Sequence, residues 1–252
     1  MTDPDTGIGG VNDRFPLTNQ SAIVRARSED ARERERAFEA IVAAYWKPAY
    51  KYLRIKWQAS NEDAKDLVQG FFALAIEKNY FADYQSGKAA FRTFLRTCLD
   101  GFVANQRKSD GRMKRGGGMD HFSLDFIEAE NELSRYGTSP GGTLEDYFHR
   151  EWVRNLFAMA VETLSQLYRA SGRDVYFQLF ERYDLHDEAS ETKPSYAALA
   201  EEFSLKSTDV TNYLAAARRD FRNTVLERLR EVTSNDEEFR REAQAVLGVN
   251  VK

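Results

Sequence analysis

Residues 60–76 read SNEDAKDLVQGFFALAI, and the rest of the chain is organised around them. The apolar residues Ala64, Leu67, Val68, Phe71, Phe72 and Ala75 recur at three- and four-residue steps, which draws one continuous stripe along an α-helix. One buried face is therefore specified. Ser60 followed by Asp63 reads as a capping box, and Glu62, Asp63 and Asp66 place negative charge where a helix N-terminus favours it. Outside the stripe lie Glu62, Lys65, Asp66 and Gln69, a polar patch that packing does not require. It reads either as a solvated face or as a docking surface.

Working outward, the preceding segment from Ala31, ARERERAFEAIVAAYWKPAYKYLRIKW, sets Phe38, Ile41, Val42, Tyr45, Ala49, Tyr52 and Leu53 on one side of a long helix. Pro48 lies inside it. Proline removes a backbone donor and crowds the preceding turn, so a kink or a break is expected near residues 45–47. Beyond a turn-like connection, FRTFLRTCLDGFVANQRK repeats the same period through Phe91, Phe94, Leu95, Cys98, Leu99, Phe102 and Val103. Arg92 and Arg96, with Arg107 and Lys108 at the end, are expected to face solvent. Three such helices can close a core.

The next stretch is basic and glycine-rich, with Arg112, Lys114 and Arg115 ahead of Gly116–Gly118. It reads equally as a phosphate-binding cluster or a solvated linker, and it lacks the lysine spacing of a nucleotide-binding loop. The linker is expected to carry a short helix over the surface. From Thr143, Phe148, Trp152, Leu156, Ala160, Leu164 and Leu167 trace a further long helix. A shorter one follows through Val175, Tyr176, Leu179, Phe180 and Tyr183, and a polar loop closes at Pro194.

The most specific local signal is SYAALAEEFSLKSTDVTNYLAAARRDFRNTVLERLRE, residues 195–231. A short helix carrying Leu199, Ala200 and Phe203 inward, a tight reversal at SLKS, and a longer helix carrying Val210, Leu214, Ala217 and Phe221 inward make a helix-turn-helix spacing. Lys206, Ser207, Thr208, Asp209, Thr211, Asn212 and Tyr213 decorate the N-terminal half of the second helix, the part that can enter a major groove. Short polar side chains suit base edges, while Arg218, Arg219 and Arg222 suit phosphates. A plain helical hairpin in a protein-interaction module is the alternative. At the end of the chain, Ser234 and Glu237 read as a cap ahead of a small apolar face, Phe239, Ala243, Val246 and Leu247.

Composition limits these readings. With 252 residues and a net charge of -4, the chain gives no global support for nucleic-acid binding, so a basic site must be local. Its N-terminus lacks the basic-then-apolar layout of a signal peptide, and no long apolar run suggests membrane insertion; a cytoplasmic protein is expected. The single cysteine, Cys98, excludes an intrachain disulfide and a cysteine-clustered zinc site. No histidine has a spaced partner for a metal, and no catalytic constellation or cofactor motif emerges, so an enzyme is not expected.

Three motifs, DAKDLVQGFF (63–72), FADYQSGKAAFRTFLRTCLDGFVANQRK (81–108) and YAALAEEFSLKSTDVTNYLAAARRDF (196–221), resemble in order and spacing the two conserved regions of bacterial extracytoplasmic-function sigma factors of RNA polymerase. The resemblance implies an all-α chain of two small helical domains joined by a flexible linker, the second containing the helix-turn-helix. In these terms residues 1–30 are a mobile leader, 31–108 bind core RNA polymerase and the proximal promoter element, 109–142 link, 143–232 read the distant element, and 233–252 form a tail. Asp63, Asp66, Leu67 and Gln69 would belong to the polymerase-binding helix. Residues 83–88, Lys88 among them, would hold a flipped base, and Arg92, Arg96, Asn105, Arg107 and Lys108 would line the DNA side. Lys206, Ser207, Thr208, Thr211, Asn212 and Tyr213, with Arg218 and Arg219, would read promoter DNA. An anti-sigma factor is a further candidate partner. A helix-turn-helix regulator that does not join polymerase, and a helical protein-interaction adaptor, remain the alternative readings.

Overall fold

The computed structural model describes residues 21–108, 124–136, 142–185 and 193–251, and among them every regular element is helical. The longest apolar periods give the longest helices. The helix α2, Ala31–Lys56, starts where the Asp30 carboxylate accepts from the Arg32 and Glu33 amides at 2.8 and 3.4 Å. It runs unbroken through Pro48, so the expected break does not occur. The reason lies far away in the chain. Proline leaves the Ala44 carbonyl without its in-helix donor, and the Asn155 amide nitrogen fills that role, donating to Ala43 O at 2.9 Å and Ala44 O at 3.0 Å.

The quoted stretch forms α3, Asn61–Glu77, with the Ser60 hydroxyl accepting from the Asp63 amide at 3.1 Å. Its stripe is buried at Ala64, Val68, Phe71, Phe72 and Ala75, and Leu67 sits half-buried at the margin. Gly70 has a packing reason: a Cβ there would meet the Phe102 ring at 3.3 Å, so its absence lets the next long helix approach. That helix is α4, Phe91–Lys108, reached through a 3-10 turn at Tyr80–Asp83.

The stretches read as leader and linker both contain helices, the second as expected. Ala22–Arg25, within the stretch read as a leader, form α1, one turn whose Ala22 and Ile23 are buried against α2. A single turn is too short to show a period. The expected short helix of the linker is α5, Phe126–Tyr136, clasped to α2 by charge. Lys47 pairs with Glu128 and Glu132, Lys51 with Glu132, and Arg54 with Glu130, at 2.6–2.9 Å. The Arg54 hydrogen bond holds the Glu130 carboxyl below the usual range.

The C-terminal half is built on α6 (Leu144–Ala170), α7 (Asp174–Asp184), α8 (Tyr196–Glu202), α9 (Ser207–Glu231) and α10 (Asp236–Leu247). The Thr143–Asp146 capping box starts α6. The stripe of α6 continues to Tyr168, which is buried; Leu167, expected inward, is 48% exposed because the buried positions keep stepping by four. Between α8 and α9, Ser204 adopts φ of +54°, with Leu205 N–H donating to Ala200 O and Ser204 N–H to Glu201 O. This is a Schellman turn with serine where glycine costs least. The cap of α10 is Asn235, accepting from Glu238 N at 2.8 Å, one residue later than the Ser234 expected.

The halves share one core. A single buried cluster runs from Ala22 through Tyr45, Val68, Phe91 and Leu99 to Trp152, Leu156, Ala160, Leu229, Phe239 and Ala243. Tyr45 stacks on Trp152 with centroids 6.1 Å apart, and Tyr52 meets Phe148 edge-on at 5.5 Å. Two small clusters, one centred on Leu179, Leu199, Val210 and Leu214 and the other on Leu164, Tyr168, Phe180 and Ala217, support α7, α8 and α9 at the far end.

Candidate functional site

Three surfaces carry the residues singled out in the sequence. The first is the outer face of α3. Asp63, Asp66 and Gln69 are exposed there, while Leu67 packs partly on the core. The polar contacts on this face are local: Ser60 Oγ donates to Asp63 at 2.7 Å, and Lys65 pairs with Glu62 at 2.8 Å. The helix therefore presents a rigid, net-acidic face. Surface pairs of this kind contribute little to stability, so the face is open to a charged partner.

The second surface follows residues 83–108. Lys88 is exposed on the turn before α4, and Asn105, Arg107 and Lys108 are exposed near the helix end. Arg107 lies over the Trp57 ring at 4.8 Å and donates to Trp57 O at 2.6 Å. Arg92 and Arg96 depart from expectation: their side chains are only 22% and 18% exposed. Arg92 forms an ion pair with Glu242 of α10 and lies 5.4 Å over the Trp152 ring. Arg96 faces Glu145 of α6 at 3.6 Å and Asp100 at 3.7 Å, and donates to Tyr52 Oη at 3.3 Å. These two arginines bind α4 to the other half of the molecule.

The same junction contains side chains that the sequence reading did not single out as functional. Glu238 and Glu242 are each 2% exposed. Glu238 accepts from Tyr84 Oη at 2.7 Å and from the Phe91 amide at 2.9 Å. Burial is the first cause that pushes the Tyr84 phenol well above its ordinary range, with the Glu238 hydrogen bond next. His149 lies tilted against Trp152, and burial, then Arg92, lowers its pKa. A local signal existed: Glu238 and Glu242 are four apart and share a side of α10 with Phe239 and Ala243. Cys98 is half-buried and its thiol is pushed up to about 11 by burial, which suits packing rather than reactivity.

The third surface is the start of α9. Lys206, Ser207, Thr208 and Asn212 are exposed, and Thr211 is half-exposed with its hydroxyl bonded back to Ser207 O at 3.0 Å. Tyr213 is an anchor in this fold: it stacks on Tyr176 with centroids 4.0 Å apart, fixing α9 to α7. Arg218 grips Asp184 through two bonds of 2.9 and 3.1 Å, while Arg219 stays 59% exposed beside Asp220. The arrangement offers short donors and acceptors at a helix start with arginine nearly two turns on.

Among the described residues, no group of histidine, cysteine, aspartate or glutamate is arranged to hold a metal ion, and no helix is long and apolar enough to cross a membrane. The basic cluster at 112–115, the glycines 116–118, His121 and His186 lie outside the described residues. A comparison with family models matches residues 20–234 to the model described as ECF sigma factor. Comparisons with curated proteins and with solved structures give no match. Since the matched region takes in α1 to α9 and covers well over half of the sequence, the chain belongs to the ECF sigma factor family.

Proposed function

We propose that this protein binds core RNA polymerase and directs it to specific promoters to start transcription, working in the cytoplasm without a cofactor. In this reading α3 docks on polymerase through Asp63, Asp66, Leu67 and Gln69. Residues 83–108 serve the proximal promoter element, and α8, the Ser204 turn and α9 form a helix-turn-helix that reads the distant one. Residues 31–108 and 143–232 then act as two functional domains that share a core in the free chain, and an anti-sigma factor would compete for the same faces.

The observation that carries the reading is the start of α9. Lys206, Ser207, Thr208 and Asn212 are exposed there with hydrogen-bonding groups directed away from the core, on a helix held rigidly by Val210, Leu214 and the Tyr213–Tyr176 stack. Base recognition needs polar side chains on a fixed helix end, because hydrogen bonds discriminate bases only when their register is set. The acidic face of α3 adds a reason to join a protein partner as well as DNA.

The test is reconstitution with bacterial core polymerase on genomic DNA, with transcript starts mapped. Starts clustering behind a common pair of sequence elements are expected. Initiation no different from core polymerase alone would contradict the proposal. Reversing both Asp63 and Asp66 to lysine should weaken association with core polymerase while leaving the helical content intact.

A further inference from the structure

The family match ends at residue 234, just before α10, so the docking of this helix is a feature of this chain beyond the matched region. The helix does not lie over a hydrophobic gap alone. Its polar side chains reach the turn and the first residues of α4, the segment that serves promoter DNA in the function proposed above, and the inference rests on that reading. Asn235 Nδ2 donates to Ser86 Oγ at 2.8 Å. Glu238 Oε1 accepts from Tyr84 Oη and the Phe91 amide, while its Oε2 accepts from Ser234 N and Oγ at 2.9 and 2.7 Å. Glu242 takes Arg92. Both carboxylates are almost wholly buried, and a buried charge needs donors or an opposite charge beside it; Glu238 has the hydrogen bonds above, and Glu242 has the Arg92 guanidinium.

The donors so engaged form a set: a backbone amide at a helix start, a guanidinium, and a phenol whose one proton Glu238 shares with Ala89 O, 2.8 Å away. That set is suited to an anion. A DNA phosphate or a base acceptor would need the same N–H and O–H groups, and two anions cannot share them. Helix α10 also sits where a strand of nucleic acid would have to lie to reach Arg92, because Glu242 is ion-paired with that guanidinium, which rests on the Trp152 ring of α6. We propose that α10 is an autoinhibitory latch. Glu238 and Glu242 hold the donors of residues 84–92, and promoter DNA engages this face only after α10 lifts away.

The test uses the full chain with core polymerase and a promoter fragment whose non-template strand is single-stranded upstream of the start. Ser86→Cys and Asn235→Cys, with Cys98→Ala, place two thiols at neighbouring positions, and the oxidised chain in which loss of free thiol shows that they have joined has α10 tethered shut. Oxidation is expected to weaken fragment binding about tenfold, within the usual range of coupling between two sites, and a reductant to restore it. Separately, Glu238→Gln with Glu242→Gln keeps the side-chain shapes and removes both charges; it is expected to tighten fragment binding several-fold. Equal binding by oxidised and reduced tether would overturn the latch, as would unchanged or weaker binding by a folded double-glutamine variant. Core association is read by size exclusion alongside. Its absence in every variant, parent included, would overturn the sigma reading and the latch with it, whereas association with unaltered DNA affinity overturns the latch alone.

Discussion

On α4, Arg92 and Arg96 are 22% and 18% exposed and face carboxylates from α10 and α6; on α9, Lys206, Ser207, Thr208 and Asn212 stand clear of the core. Both groups sit off an apolar stripe, and by periodicity alone they are the same kind of residue. What separates them is position. Helix α4 lies against the large core shared by both halves, so acidic helices pack over its outer side. The start of α9 rests on a small cluster at the far end of the molecule, supported among the described residues by α7 and α8. Exposure of a polar residue is thus decided by contacts made across the whole chain, whereas the helix it belongs to is decided locally.

The strongest way to break this contrast is to hollow out the junction. Trp152 is 1% exposed, stacks on Tyr45 and lies under Arg92. Trp152→Ala should cost about 3–5 kcal/mol, from lost burial and the cavity left behind. Denaturant unfolding should show one transition shifted to lower midpoint for probes in both halves. Two transitions, with only the second half shifted, would show that the halves do not share a core.

A smaller loss is expected from the buried charges. Lys51 and Glu151, 2% and 3% exposed, pair at 2.7 Å, and Glu132 completes the group. Glu151→Ala should cost about 1.5–3 kcal/mol, since the buried ammonium loses one of its two carboxylates and keeps only Glu132, while Lys51→Met with Glu151→Leu should return to the parent's stability or above it. A double variant as weak as the single one would mean that charge, rather than volume, holds the join.

Asn155 gives a smaller and sharper effect. Asn155→Leu should cost about 1–3 kcal/mol because the Ala44 carbonyl loses its donor. Adding Pro48→Ala should recover most of that cost by restoring the in-helix N–H. Additive losses in the double variant would refute this account of the unbroken helix.

The smallest stability effect should come from the open face. Replacing Thr211 and Asn212 with alanine should leave stability within about 0.5 kcal/mol of the parent. In holoenzyme binding, preference between promoter fragments that differ only in the distant element should disappear, while Arg219→Ala should instead weaken binding to every fragment and flatten its salt dependence. Identical preference and salt slope in all three proteins would remove DNA reading from α9.

These cases also mark what was legible in the sequence. The stripe of α3 was, since Val68, Phe71, Phe72 and Ala75 satisfy a local period and bury as that period requires. The kinship of the chain was readable from three motifs in order. The continuity of α2 was not, because its compensating donor lies on α6, more than a hundred residues away. The low exposure of Arg92 was not legible for the same reason: its partner Glu242 belongs to the tail, and no spacing rule connects them. The start of α10 slipped by one residue because Ser234 and Asn235 are both good caps, and the choice fell to Glu238, whose carboxylate takes Ser234 while its amide takes Asn235.

The central claim, that the proximal DNA face is closed in the free chain and open in the working complex, can be read from the amides of residues 84–92. Phe91 N–H donates to buried Glu238 in the closed form. Hydrogen exchange in this segment should be slow in the free protein and at least about tenfold faster, or newly shielded by DNA and sensitive to its removal, once the chain is bound to core polymerase and a promoter fragment. The peptides of α10 should lose protection in the same complex, and those around Val68 in α3 should stay slow. Protection of α10 and of residues 84–92 that is identical in the free chain and in the polymerase–promoter complex would contradict the account.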